Sequence, residues 1–251
     1  DVLTVTVSDA HDLAQLKAIN NATAGTINLS SYSVALSGSV ADVTAALAGT
    51  LGDTYTGGVN VTSSASISQL TSLSSKTSGA VTYTSISDTV ANLVNSDGSS
   101  LNALVTGNKN IIVQDQVTLA QLKTINNATT GSITLEVTNG ALSGTAADLS
   151  AAFAGITDYT GNLTATNVAD LAQAEVIKGA TSGTSTYAVA DLANTISGAA
   201  GSSTQVLALQ NASSVTVTAS ALQDTIDMAG FAGSKAVAMT INGNTRANTI
   251  T

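Results

Sequence analysis

The stretch Leu13-Ala-Gln-Leu-Lys-Ala-Ile-Asn-Asn-Ala-Thr23 returns as Leu119-Ala-Gln-Leu-Lys-Thr-Ile-Asn-Asn-Ala-Thr129, an offset of 106 residues (119 − 13). The residues after each copy return too. Ala35-Leu-Ser-Gly38 comes back as Ala141-Leu-Ser-Gly144, Tyr55-Thr-Gly57 as Tyr159-Thr-Gly161, and Thr77-Ser-Gly79 as Thr181-Ser-Gly183. An internal duplication of this length predicts repeated structural units, each burying its apolar face against its neighbour.

Within the repeated stretch, Leu13, Leu16 and Ile19 form an apolar stripe at near-helical spacing, with Gln15, Lys17 and Asn20 on other faces. That pattern predicts a short one-sided helix. Ser8 and Asp9 precede it as capping candidates and Asp115 precedes the second copy; Asp88 and Asp148 stand near the starts of further helices. Such acids compensate the exposed N–H groups and the dipole of a helix start. Gly25 closes the helix, and the alternating run Thr26-Ile-Asn-Leu29 predicts a strand.

Strand-like runs begin inward at Val5, Ile27, Val59, Val81, Ile111, Ile133, Leu163, Ser185 and Val206, with gaps of 22, 32, 22, 30, 22, 30, 22 and 21 residues. Short segments alternate with long ones. Leu36 to Gly38 falls in an irregular part of the first long segment, between the strand at Thr26–Leu29 and a helix from Val40 to Leu47. Strands that pair one segment away predict an α/β repeat: an elongated solenoid of short parallel strands alternating with short helices, ending in a more β-rich junction. Residues 1–110 form the first repeat unit, 111–204 the second, and 205–251 a junction to further repeats, with a helix near Ser220 to Met228 and a strand at Val237 to Ile241. With no signal peptide at Asp1 and no polar capping units at either end, the chain is expected to be a piece of a longer array.

Hydrophobic residues make up 43% of the chain but aromatics 3%, so the expected core is thin layers of Ala, Val, Leu and Ile. Seven Lys and Arg against sixteen Asp and Glu give a net charge of −9, which argues against a nucleic-acid partner and points to cations instead. Cys is absent, excluding disulfides and thiolate metal sites. Pro is absent too, which removes slow prolyl isomerisation and suits a chain exported unfolded. No run of about 18 apolar residues offers a membrane span.

Sites of chemistry are sparse. His11 is the one histidine, and the equivalent position of the second copy is Val117, so a partly exposed packing or surface role is expected there. Acids recur from segment to segment instead of facing one another across a unique cleft, as a glycoside hydrolase needs. The loop acids Asp97, in Asp97-Gly98, and Asp158 are the candidate calcium ligands, because a hard cation takes carboxylate, carbonyl and amide oxygens. Alternating Thr residues, such as Thr82 and Thr84 or Thr164 and Thr166, predict an ordinary solvent-facing strand surface, with hydroxyl ladders facing ice or carbohydrate as the alternative.

At the C-terminus, Ile241-Asn-Gly-Asn-Thr-Arg-Ala-Asn-Thr-Ile-Thr251 resembles the lead-in to the calcium-binding nonapeptide repeats of RTX (hemolysin-type) secreted proteins, and the repeated Ala-Asp-Leu and Thr-Ser-Gly segments resemble repeat regions of giant bacterial surface proteins of that type. The glycine- and aspartate-rich nonapeptide itself is absent, so no calcium-binding residue of the family carries over. The resemblance implies export without a cleaved N-terminal signal, folding outside the cell in calcium, and a structural or adhesive role. The expectation is therefore a non-enzymatic module of an extracellular bacterial surface protein, self-assembling as a surface layer, fibre or stalk. Its expected partners are copies of itself or adjacent repeats. The alternative is an adhesin for cell-surface glycans or ice through a Thr-rich strand face, and a solenoid lyase or hydrolase is the third class weighed.

Overall fold

A computed structural model of the chain describes residues 2–219, 225–226, 237–244 and 249–250. The fold is α/β, with short parallel strands alternating with short helices and grouped in several small sheets; no closed barrel occurs among the described residues. The chain divides into two compact units, one made of residues 1–93, 102–114 and 129–132, the other of 94–101, 115–128 and 133–251.

The first unit runs β1 (Val5–Val7), α1 (Leu13–Ala22), β2 (Ile27–Leu29), β3 (Leu36–Gly38), α2 (Val40–Ala46), β4 (Val59–Val61), α3 (Ile67–Ser74), β5 (Val81–Tyr83), β6 (Ser85–Asp88), α4 (Val90–Leu93) and β7 (Asn110–Val113). All its strand pairs are parallel: β1 with β2, β3 with β4 and β4 with β5, and β6 with β7. The second unit holds α5 (Leu119–Ala128), β8 (Ile133–Leu135), β9 (Leu142–Gly144), α6 (Ala146–Phe153), β10 (Leu163–Ala165), α7 (Leu171–Ala180), β11 (Ser185–Thr186), β12 (Val189–Leu192), α8 (Ala193–Gly198), α9 (Ser203–Asn211), β13 (Ser214–Thr218), β14 (Thr225–Ile226), β15 (Ala238–Asn242) and β16 (Thr249–Ile250). There β9, β10 and β11 form one parallel sheet, β12, β13 and β15 another, and β14 pairs with β16.

The spacing is more even than the sequence reading expects. Val5 faces Ile27, 22 residues on; Leu36 faces Val59, 23 on; Val59 faces Val81, 22 on. The apparent gap of 32 between Ile27 and Val59 disappears because Ile27 bridges to Leu51, 24 residues on, and β3 supplies the strand that meets β4. A three-residue strand ending in glycine has too little β-forming character to be seen alone, so Leu36–Gly38 forms through its neighbour's register. Val206-Leu-Ala-Leu209 is also corrected: it lies within α9, capped by Ser202 and packed on α7, since a short apolar run suits a buried helix or a strand equally. The helix expected from Ser220 to Met228 falls mostly outside the described residues, and its described pair, Thr225 and Ile226, is a strand.

The register is held by a recurring Thr-x-Gly turn. Thr23, Thr77, Thr129 and Thr181 each accept, through Oγ1, the N–H of the glycine two residues later, at 2.8–3.0 Å. Each hydroxyl also donates backward across the pairing direction, to the carbonyls of Leu3, Gly57, Gly107 and Gly161 at 2.7–2.9 Å. Glycine is required here because the chains approach closely: a Cβ on Gly57 would lie 2.0 Å from the carbonyl oxygen of Val34, and one on Gly79 would lie 2.4 Å from that of Gly57.

Ile, Leu and Val of the strands and helix inner faces form the core, with Leu16, Ile27, Val43, Leu122, Ile125 and Ile177 fully enclosed. Burial of such a side chain contributes on the order of 2 kcal/mol. The core is not purely aliphatic. Tyr55, Tyr159, Tyr187 and Phe153 are among its largest buried side chains, and Phe153 meets Tyr159 edge-on with ring centroids 4.9 Å apart. Each buried tyrosine places its hydroxyl on a backbone carbonyl about twenty residues away: Tyr55 on Val34, Tyr159 on Gly140 and Tyr187 on Ala208.

Candidate functional site

Helix starts position the polar side chains. Asp12, not Asp9, caps α1: its side chain accepts from the N–H of Gln15, and the Gln15 side chain returns a bond to the Asp12 N–H. Thr118 does the same with Gln121 for α5, so the cap lies three residues after Asp115. Ser66 with Gln69 and Asp170 with Gln173 repeat the box at α3 and α7. The sequence signal is the Asp, Ser or Thr followed three residues later by Gln; an acid merely close to the helix misplaces the cap.

Asp148 is not a cap either. Thr145 caps α6, and Asp148 sits one turn in, accepting from the Thr145 hydroxyl at 2.7 Å and pairing with Lys123 of α5. The first copy matches, with Ser39 capping α2 and donating to Asp42 at 2.6 Å, and Lys17 of α1 lying 2.5 Å from Asp42. These lysines tie each helix to the next, and Asn20 and Asn126 add amide bonds to the carbonyls of Ala45 and Ala152. The Lys17 hydrogen bond, then that of Ser39, holds the Asp42 carboxyl below the usual carboxylate range, and Lys123 with Thr145 does the same for Asp148.

Asp88 serves the start of α3, whereas the helix it precedes is α4. Its Oδ2 accepts the N–H of Ile67, the first residue of α3, at 2.8 Å, while Oδ1 accepts from Thr89 and from the Asn92 amide. Asp191 serves Leu171 of α7 equivalently, and Ser63 and Asn167 serve Val40 of α2 and Ala146 of α6. Each of these four helix starts takes a side chain from about twenty residues further along the chain.

Beside each lysine–aspartate pair lies a cleft. In the first unit it measures about 760 Å³ and is bordered by Leu13, Lys17, Asn21, Ser37 and Asp42, with His11 at its edge. In the second unit it measures about 470 Å³ and is bordered by Leu119, Lys123, Asn127, Ser143 and Asp148. Gly38 and Gly144 shape the two clefts alike, since a Cβ on either would strike the Leu13 or Leu119 side chain at 2.4 or 2.3 Å. These clefts, which the duplication places at matching positions, are the candidate site.

No protein-family model, curated protein or solved structure matches the chain. The chemistry of the clefts therefore rests on these residues alone.

His11 is buried rather than partly exposed. Its Nε2 lies 3.3 Å from the Tyr55 hydroxyl, whose own proton goes to the Val34 carbonyl, so Nε2–H is the donor and the buried Nδ1 carries a lone pair without a hydrogen-bond partner. Burial lowers the imidazole pKa, opposed by Asp12. Val117, at the matching position, is buried as well, so the site accepts either side chain.

Of the candidate calcium ligands, Asp97 accepts the Ser99 N–H at 2.8 Å in a turn whose Gly98 has φ of +74°, and bonds from Ser99 hold its carboxyl below the usual range. Asp158 is exposed beside buried Tyr159. Among the described residues no three carboxylate or imidazole side chains gather. No helix of the described residues is long and apolar enough to cross a membrane. Sequence reasoning sets Lys17 on a polar helix face and Asp42 near a helix start but misses the pairing of Lys17 with Asp42 and of Lys123 with Asp148; the signal was the return of both charges at an offset of 106 residues.

Proposed function

We propose that the chain is a non-enzymatic structural module of a secreted bacterial surface protein, a β/α solenoid serving as stalk, surface-layer subunit or fibre protomer. The observation that carries this reading is where the recurring polar side chains spend their bonds. The Thr-x-Gly hydroxyls, the caps at Asp88 and Asp191, and the Lys17–Asp42 and Lys123–Asp148 pairs all join one segment to the next. A catalytic centre concentrates perturbed, convergent groups in one place; here the same groups recur at equivalent positions.

The backbone geometry supports assembly as well. Strands that pair in parallel at 21 to 26 residues along the chain leave unpaired edges wherever a sheet stops, and such edges add further strands. The resemblance of the C-terminal segment supports an extracellular setting where calcium is plentiful. Electron microscopy of the purified chain with millimolar calcium, and again with chelator, tests the reading. Ordered filaments or sheets that dissolve on chelation are expected. Monodisperse particles in both conditions would overturn self-assembly.

A further inference from the structure

We propose that the two clefts are equivalent binding sites for a neutral saccharide, each opening onto a row of hydroxyl and amide side chains along which a polysaccharide lies. This role is additional to the structural one and rests on different observations.

Charge comes first. The Lys17 ammonium and the Asp42 carboxylate neutralise each other, as Lys123 and Asp148 do; the second cleft carries no other charge, and the first adds the exposed carboxylate of Asp12, so neither cleft favours an anion. Yet both groups remain about 40% exposed and present N–H donors and carboxylate acceptors side by side. Asn21, one helical turn beyond Lys17, and Ser37 add an amide and a hydroxyl to the same rim. Exposed Ala14 and Ala18 supply an apolar wall. Dense paired donors and acceptors against a small apolar wall suit a polyol, whose hydroxyls both donate and accept and whose C–H face is apolar. Both volumes fall within the range of small-molecule sites, roughly 300–1,000 Å³.

Retention comes second. All but one of the residues lining the second cleft stand 106 positions after a residue lining the first. Exposed Ala14, Asn21 and Ser37 return unchanged as Ala120, Asn127 and Ser143. Thr26–Val34 and Ser132–Gly140, in the same repeat, share just Ile27 and Leu29, matched by Ile133 and Leu135. The exposed residues of that connection, Ser30 and Ser33, have diverged to Glu136 and Asn139, whereas within the cleft Ala18 has become Thr124 and Asp12 Thr118 while Ala14, Asn21 and Ser37 are kept.

Continuity comes third. Ser37 accepts from the Asn60 amide at 3.0 Å, and Thr82 donates to the Asn60 carbonyl oxygen at 3.1 Å, a ladder across β3, β4 and β5 at the strand spacing of about 4.8 Å. A shallow groove of about 300 Å³ runs beside it. In the second unit Ser143, Thr164 and Thr186 occupy the same register on β9, β10 and β11, all exposed.

The test begins with the whole chain on an array of neutral and acidic oligosaccharides, followed by calorimetry with the tightest neutral binder. Two equivalent sites per chain are expected. Ala14→Trp, a bulky group on an exposed helix position, should leave one site, and Ala14→Trp with Ala120→Trp none, with the circular dichroism melt unchanged. Asn21→Ala with Asn127→Ala should weaken binding about tenfold while keeping both sites, as the loss of one hydrogen bond predicts. Binding to acidic glycans alone, to no glycan, or undiminished in the double tryptophan variant would overturn the proposal.

Discussion

The hydroxyl of Thr77 donates to the carbonyl of Gly57, 2.8 Å away, while accepting the N–H of Gly79. One buried side chain thus satisfies two backbone groups and joins two neighbouring strand segments. Thr77→Val keeps the shape and leaves both groups unpaired, which should cost about 1–3 kcal/mol. Thr77→Ser should recover most of it. Thermal melts of the two variants, repeated at Thr181, check this; an unchanged melt for the valine variant would show that the turn does not hold the register.

Two glycines separate close approach from mere flexibility. A Cβ at Gly57 would stand 2.0 Å from the backbone oxygen of Val34, whereas one at Gly179 in α7 would meet nothing within 4 Å. Gly57→Ala should therefore destabilise by about 1–3 kcal/mol. Gly179→Ala should stabilise by about 0.5–1 kcal/mol. Urea midpoints of both variants give the comparison directly.

His11 makes stability depend on pH. Burial lowers its pKa in the folded chain below the ordinary value of 6.5, so the unfolded chain binds more protons and stability falls as pH drops below that value. The loss levels off once pH passes below the folded pKa. His11→Val, which installs the residue of the second copy, should flatten this part of the profile. Urea unfolding at pH 7.5 and 5 for both proteins measures it, and equal slopes would assign the dependence to other groups.

The Asp42 and Asp148 carboxyls should titrate below the usual carboxylate range in NMR experiments. Lys17→Met should return Asp42 toward that range and leave Asp148 where it is. Because the folded pKa is depressed, each contribution to stability is present above the ordinary carboxylate value and disappears as pH falls through the folded one. High salt should shrink the difference, since both pairs are partly exposed.

Local patterns made much of the fold legible. The stripe of Leu13, Leu16 and Ile19 announced α1, because its helical spacing turns Leu16 into the core. Val59–Val61 and Val81–Tyr83 showed as strands through their alternation. Leu36–Gly38 and Leu142–Gly144 did not, being short and glycine-ended, and Val206 to Leu209 went to the wrong element because four apolar residues carry no period. Within the candidate site, the return of Lys17 as Lys123 and of Asp42 as Asp148 was visible, but their pairing across two helices was not.

That the chain repeats, where most of its helices fall and which residues turn inward are all written in the linear order of residues, since periodicity and glycine placement are properties of near neighbours. The even register, the acceptors that distant side chains bring to four helix starts and the clefts themselves arise only when segments pack. Asp88 reaches Ile67, and Lys17 reaches Asp42, across 21 and 25 residues. Such bonds depend on how one segment lies beside the next, and that alignment is fixed by backbone pairing and by glycines with no space for a Cβ, neither of which a linear pattern encodes.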